Sequence, residues 1–220
     1  MLVLMLSWVL SQAGAPAAPP VGRIFPADLE LLETDALPQG TQVLALCGKE
    51  LKEVPITVKE VEAARDEEGL HFPAKQRLLV PCAAELLFYK VPELKPGTVQ
   101  PSLEVSLEAT GRGDLSHEGT PLSFSVGGKD YKVQQESKSP VEFRVFLLDG
   151  KQKHLLYELR PEEGREGDAT LLWAGDMNQD GRPDVILMAG GENRQISLFL
   201  SSKGSKGPRK AATYEYSGLD

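Results

Sequence analysis

The sequence has few of the residues and motifs that usually reveal an enzyme. It contains only three histidines, His71, His117 and His154, and they lie too far apart to show the spacing of zinc ligands. The sequence has no P-loop, no dinucleotide-binding fingerprint and no G-x-S-x-G nucleophile elbow. These absences leave nucleotide-binding enzymes, zinc enzymes and serine hydrolases of the common motif types without support.

Excess positive charge and long apolar runs are also missing. The net charge is −8, which argues against a nucleic-acid-binding protein, because such a protein needs a basic face. No stretch reaches the length of about 18 apolar residues that a membrane-spanning helix needs, so no membrane span is expected. Apolar residues make up 41% and charged residues 25% of the chain, values that are typical of a globular protein with a packed core.

The N-terminus has the pattern of an export signal. Leu2–Leu10 is an apolar run too short to span a bilayer, and the small residues after it include two A-x-A cleavage patterns, Ala13–Ala15 and Ala15–Ala17. No Lys or Arg precedes the apolar run, which departs from the usual signal. We predict a signal peptide over residues 1–17 and a periplasmic or extracellular location. The alternative is a disordered apolar tail.

Cys47 and Cys82 are the only cysteines in the chain. In an exported protein, an even pair of cysteines favours one disulfide bond. We therefore predict a bridge between them, with two buried free thiols as the alternative.

Turn residues and short apolar runs predict a mostly β fold. Glycine occurs 21 times and proline 16 times, which favours short strands joined by turns over long helices. Apolar runs such as Gln42–Cys47 and Leu122–Val126 recur every 8–12 residues. A Gly127–Gly128 turn follows the second of these runs, and an Asp149–Gly150 pair between the next two apolar runs is a strong hairpin signal. We expect an antiparallel sandwich or a barrel-like domain, followed by a C-terminal β-hairpin region.

The same pattern divides the chain into four segments. After the signal, residues 18–40 form a Pro-rich lead-in, and residues 41–160 form the β domain. A charged connector then leads into residues 161–220, which are either a separate hairpin region or part of the same domain.

The segment Leu171–Met188 contains the one sharp motif. Side chains with oxygen atoms lie at Asp176, Asn178, Asp180 and Asp184, and Gly181 permits a sharp turn between them. A tight loop with oxygen ligands at alternate positions suits Ca²⁺, and the seventh position, Arg182, supplies its backbone carbonyl. The twelfth position is Leu187 instead of the glutamate of an EF-hand, and strand-like segments flank the loop, so an EF-hand is excluded.

The pattern D-x-N-x-D-G-x-x-D, followed by two apolar strands around a Gly-Gly turn, resembles the FG-GAP/VCBS repeat over residues 169–202. This resemblance implies that Asp176, Asn178, Asp180 and Asp184 bind Ca²⁺ through side-chain oxygens and Arg182 through its carbonyl. A propeller built from such repeats needs at least about four of them, and this chain has one copy. The alternative is a metal-free turn rich in Asp and Asn.

These features predict a secreted, monomeric, non-enzymatic protein with one structural calcium ion, which binds a partner protein or cell-surface material. The alternative is a secreted hydrolase or enzyme accessory whose site is assembled from scattered residues. The basic stretch Lys203–Lys210 is interpreted as a solvated turn, with a patch for phosphate or a polyanion as the bolder alternative.

Overall fold

A computed structural model describes residues 22–27, 30–32, 37–61, 75–104, 113–115, 121–160, 166–191 and 193–217. The predicted signal peptide, residues 1–17, lies outside these residues. Within them the secondary structure consists of strands and turns without a helix, so the mostly β prediction is confirmed. It follows that none of the described residues belongs to a helix able to cross a membrane.

The strands in chain order are β1 (Gly22–Pro26), β2 (Glu30–Leu32), β3 (Gln42–Cys47), β4 (Glu50–Pro55), β5 (Thr57–Val61), β6 (Lys75–Leu79), β7 (Ala84–Tyr89), β8 (Gly97–Thr98), β9 (Gln100–Glu104), β10 (Leu122–Val126), β11 (Lys129–Ser139), β12 (Glu142–Asp149), β13 (Gln152–Leu159), β14 (Asp168–Asp176), β15 (Asp184–Gly190), β16 (Asn193–Leu200) and β17 (Arg209–Ser217).

Ten of these strands form one large sheet in the order β8-β4-β3-β7-β1-β17-β16-β15-β14-β9. Neighbouring strands run antiparallel except β1 and β17, which are parallel. The edge strands β8 and β9 are separated in the chain by Val99 alone, so the two edges of the sheet are tied together. The sheet therefore curls into a nearly closed barrel. It takes strands from both sides of residue 160, where the sequence predicts a segment boundary.

Two smaller sheets accompany the barrel-like sheet. Strands β10 to β13 form a four-stranded antiparallel meander, and β2, β6 and β5 form a three-stranded sheet. The meander has the predicted turns at Gly127–Gly128 and Asp149–Gly150, where all three glycines adopt positive φ angles. These hairpins could be predicted because turn chemistry acts between residues that are close in sequence.

The buried side chains form two hydrophobic cores. The first core is formed mainly by side chains of the ten-stranded sheet, together with Leu78 of β6 and loop residues such as Ile56 and Leu94. The second core lies between the meander and β14, β15 and β16. These three strands contribute to both cores because successive side chains point to opposite faces: Ile186 packs into the first core, and Val185 and Leu187 into the second. Burial on both faces explains why β14 to β16 are almost continuously apolar.

A disulfide bond joins Cys47 to Cys82, as predicted, with the Cα atoms 6.0 Å apart. Cys47 ends β3, and Cys82 lies in the turn before β7, its neighbour in the sheet. The bond is compatible with a periplasmic or extracellular location.

Candidate metal centre

The predicted calcium loop forms the connection between β14 and β15. Asp176 is the last residue of β14 and Asp184 is the first of β15, and Gly175 pairs with Asp184 across the hairpin. Gly181 has a φ of 78°, as the predicted sharp turn requires, and Gln179 also adopts a positive φ of 61°. Two strands that are buried on both faces thus position a polar loop at their shared end.

Asp176 and Asn178 organise the first half of the loop through backbone hydrogen bonds. The Asp176 carboxylate accepts hydrogen bonds from the amides of Asp180, at 3.0 Å, and of Gly181, at 2.9 Å. The Asn178 side-chain oxygen accepts a further bond from the Asp180 amide at 3.2 Å. These bonds hold the side-chain oxygens of Asp176 and Asn178 on the same side of the turn.

Asp184 is fully buried, and its carboxylate connects three backbone segments. One oxygen accepts hydrogen bonds from the amides of Met177, at 2.8 Å, and Asn178, at 3.2 Å, and the other accepts one from Ser201 at 2.9 Å. Burial raises the pKa of Asp184 to about 7, because removal from water disfavours the charged form. The three amide bonds oppose this rise in pKa, and the nearby charge of Asp180 adds to it.

Asp180 lies at the tip of the loop. Its partial burial raises the pKa of its carboxyl group, and the charge of Asp176 raises it further. Hydrogen bonds from the backbone amides of Arg182 and Lys203 act in the opposite direction. Asp176, Asp180 and Asp184 thus lie close enough to repel one another electrostatically.

Ser201 belongs to the site, although the sequence does not single it out. Besides the amide bond to Asp184, its hydroxyl donates to the Pro183 carbonyl at 2.6 Å, and its own carbonyl accepts from the Asn178 side-chain amide at 3.1 Å. Ser201 follows β16, so these contacts tie a second turn, residues 201–208, to the loop. They depend on the pairing of β15 with β16, which no local motif records.

The residues of the loop fit a hard divalent cation by their chemistry. Every predicted side-chain ligand offers oxygen, which Ca²⁺ prefers, and a carboxylate can accept up to about four hydrogen bonds or metal contacts. Asp176 uses two of these positions for amides, so it retains positions for an ion. A dication would also relieve the repulsion among the three carboxylates.

In the present arrangement the carboxylates face backbone amides. Among the described residues, no three acidic, histidine or cysteine side chains are grouped as closely as they would be around an ion. Arg182 donates its amide to Asp180 at 3.0 Å, and its carbonyl is the predicted fifth ligand.

A separate cavity of about 580 Å³ lies at the opposite half of the barrel-like sheet, between β3, β7, β17 and the turn after β7. Its floor is apolar and includes the buried residues Val43, Phe88 and Leu94. An ion pair between Glu93 and Arg209 lies at its rim. The sequence contains no motif for this cavity, because its residues come from strands that are distant along the chain.

Comparisons of the chain with models of known families, with curated proteins and with solved structures find no match. The geometry of the loop and its chemistry therefore have to support the functional assignment.

Proposed function

We propose that this chain is an exported, non-enzymatic binding protein that holds one structural Ca²⁺ ion in the loop Asp176–Asp184. The observation that carries the proposal is the loop itself: four side chains with oxygen ligands and Gly181 connect two buried strands of the main sheet. The disulfide bond and the predicted signal peptide support export.

In this proposal Asp176, Asn178, Asp180 and Asp184 hold the ion through side-chain oxygens, and Arg182 holds it through its carbonyl. The ion supplies positive charge that offsets the mutual repulsion of the three carboxylates. The remaining hydrogen bonds of Asp184 to Met177, Asn178 and Ser201 transmit that stabilisation to the neighbouring turn. The proposed role of the ion is therefore to order one end of the sheet, in keeping with the resemblance to the FG-GAP/VCBS repeat.

The alternative is an exported hydrolase or enzyme accessory, whose substrate would bind in the cavity beside Phe88. Clustered carboxyl groups with raised pKa values in a deep cavity are typical of acid–base enzymes. Of the described residues, the carboxyl groups with raised pKa values are Asp180 and Asp184, and both lie in the loop instead of the cavity. This distribution favours the binding interpretation.

Calcium titration of the full chain tests the proposal. Extracellular calcium modules have dissociation constants of about 10⁻⁴–10⁻³ M. We expect calorimetry to show one site in this range, and we expect 1–10 times that concentration to stabilise the fold by about 0.4–1.4 kcal/mol. For a chain of this size, such stabilisation raises the melting temperature by roughly 1–5 °C.

Asp180→Ala should remove both the calorimetric signal and the shift in melting temperature. The matched control is Asp130→Ala, because Asp130 is exposed on β11 and its carboxylate accepts a hydrogen bond from the Ser125 hydroxyl, outside the loop. If the wild-type protein neither binds nor is stabilised by Ca²⁺ at concentrations up to about 10 mM, ten times the weakest expected constant, the proposal fails.

A further inference from the structure

A small polar cleft of about 40 Å³ lies beside the loop, between the meander and the 201–208 turn. Side chains with N–H groups line much of it: Gln152 and His154 from β13, Arg182 from the loop, and Lys206 from the turn. A cleft of this size, lined by N–H groups, matches a single oxyanion group better than an extended ligand.

The cationic side chains of the cleft form no ion pair with the other described residues that line it. Asp149 also lines the cleft, but its carboxylate forms an ion pair with Lys129 at 2.5 Å. Within the described part of the chain, Arg182 and Lys206 form no ion pair. Two cationic side chains are thus available to an anionic ligand, in a chain whose net charge is −8.

The cleft and the metal loop share residues. Arg182 belongs to the loop, Ser201 lines the cleft and bonds Asp184, and the amide of Lys203 bonds Asp180. Without an ion, the three carboxylates of the loop balance the charges of Arg182, Lys203 and Lys206. With Ca²⁺ bound, two positive charges are left over in the same region, so an anion should bind more tightly.

We propose that this cleft binds one oxyanion group, a sulfate or a carboxylate of an acidic ligand, and that calcium strengthens the binding. The proposal rests on the proposed function, because it needs an occupied loop. The chain is acidic overall and would repel a long polyanion from most of its surface. A pendant group that enters a small cleft avoids that repulsion.

The test measures binding of a heparin-derived oligosaccharide to the full chain at low salt, with calcium and with chelator. We expect calcium to increase the affinity at least about threefold, and added salt to decrease it, since the contact is electrostatic. Lys206→Gln and Arg182→Gln should each weaken binding about tenfold or more, the value of one charge-assisted hydrogen bond. Arg182→Gln retains the backbone carbonyl that is proposed to contact calcium.

Lys138→Gln is the matched control, because Lys138 lies at the far end of β11 and contacts Glu142. It should leave the affinity unchanged. Asp176→Ala controls for calcium bound by the oligosaccharide itself: in this variant calcium should no longer increase the affinity. A neutral dextran oligosaccharide should not bind, and competition by inorganic sulfate alone at similar concentration would identify the free ion as the ligand.

Calorimetry with calcium alone separates the two proposals. If calcium binds but the oligosaccharide affinity is insensitive to Lys206→Gln and Arg182→Gln, the cleft proposal is wrong and the calcium proposal stands. If calcium does not bind, both are wrong.

Discussion

At the scale of single residues, the buried carboxylate of Asp184 is central to the structure of the loop. A carboxylate that is fully removed from water is destabilising unless hydrogen bonds compensate for the lost solvation, and Asp184 has three amide partners. Among the described residues, these three amides have no other hydrogen-bond acceptor. They therefore depend on the carboxylate of Asp184. Asp184 therefore has a structural role whether or not an ion is bound.

Asp184→Ala should destabilise the protein by at least about 2 kcal/mol in the presence of chelator, because it leaves buried amide donors without a partner. Urea unfolding followed by circular dichroism measures the change. Asp130→Ala, which alters an exposed carboxylate, should change the stability by less than about 0.5 kcal/mol. Equal stability of wild type and Asp184→Ala in chelator would contradict the structural role.

Gly181→Ala tests the backbone of the loop. An alanine in the left-handed region is destabilising by about 1–2 kcal/mol, and no atom lies within 4 Å of the added methyl group, so strain is its only expected effect on the fold. Gly40→Ala is a close control, since Gly40 has the same φ of 78° and similarly open surroundings. Both variants should lose similar stability in urea, and only Gly181→Ala should weaken calcium binding in calorimetry. Equal calcium affinity in both variants would argue against the loop as the site.

The residues of the loop could be predicted because their spacing is local. Asp176, Asn178, Asp180 and Asp184 lie within nine positions, and the turn at Gly181 follows from the same short stretch. Ser201 could not be predicted, because its contact with Asp184 depends on the way β15 and β16 pair. Gln179 could not be predicted either, since non-glycine residues seldom adopt positive φ.

At the scale of secondary-structure elements, an irregularity in β14 determines which of its side chains enter each of the two hydrophobic cores. The register of β14 against β15 shifts between Leu171 and Trp173, so Leu172 and Trp173 both pack into the first core. Leu171 and Ala174 pack into the second core. Strict alternation would place Leu172 and Trp173 on opposite faces, and because both faces of this strand are apolar, the sequence contains no sign of the shift.

The pairing of β12 with β13 gives a prediction for pH. Arg144 and Arg160 donate hydrogen bonds to Glu158, and these bonds lower the pKa of its carboxyl group below the ordinary value of 4.5. A lowered pKa in the folded state means that the stabilisation is complete above pH 4.5 and is lost as the pH falls through the folded-state value.

Glu158→Gln should therefore reduce stability at neutral pH and make the stability less dependent on pH below about 4.5. Urea midpoints measured from pH 3 to pH 7 test this expectation. Glu53→Gln removes an exposed acidic side chain on β4 and should leave the acid dependence close to that of the wild type. If Glu158→Gln lost stability at acidic pH in the same way as the wild type, the proposed role of Glu158 and its two arginine partners would be wrong.

At the scale of the whole molecule, local signals predicted the hairpins but not the arrangement of the sheet. The turns at Gly127–Gly128 and Asp149–Gly150 define the meander in the sequence and in the structure. The neighbours β3 and β7, or β1 and β17, are far apart along the chain, and their pairing depends on packing around the first core. The closure of the sheet at Val99 follows from that packing and has no sequence motif.

The disulfide bond should stabilise the whole fold, since it closes a long loop of the unfolded chain between residues 35 positions apart. The chain-entropy relation gives about 3.8 kcal/mol as an upper value for the loss in a Cys47→Ala/Cys82→Ala double variant. Urea unfolding measures the loss, and Ser125→Ala, an exposed site on β10, provides a control. Thiol labelling of the unfolded wild type without reductant would contradict the bond.

The parallel pairing of β1 with β17 has a mechanical consequence. These are the first and the last described strands, and Gly22 lies opposite Ala212. Tension applied at Gly22 and at Ser217 pulls the two parallel strands in opposite directions along their length. The hydrogen bonds between them are then loaded together in shear instead of being opened one after another, so the molecule should resist stretching more strongly than one whose outermost strands peel apart.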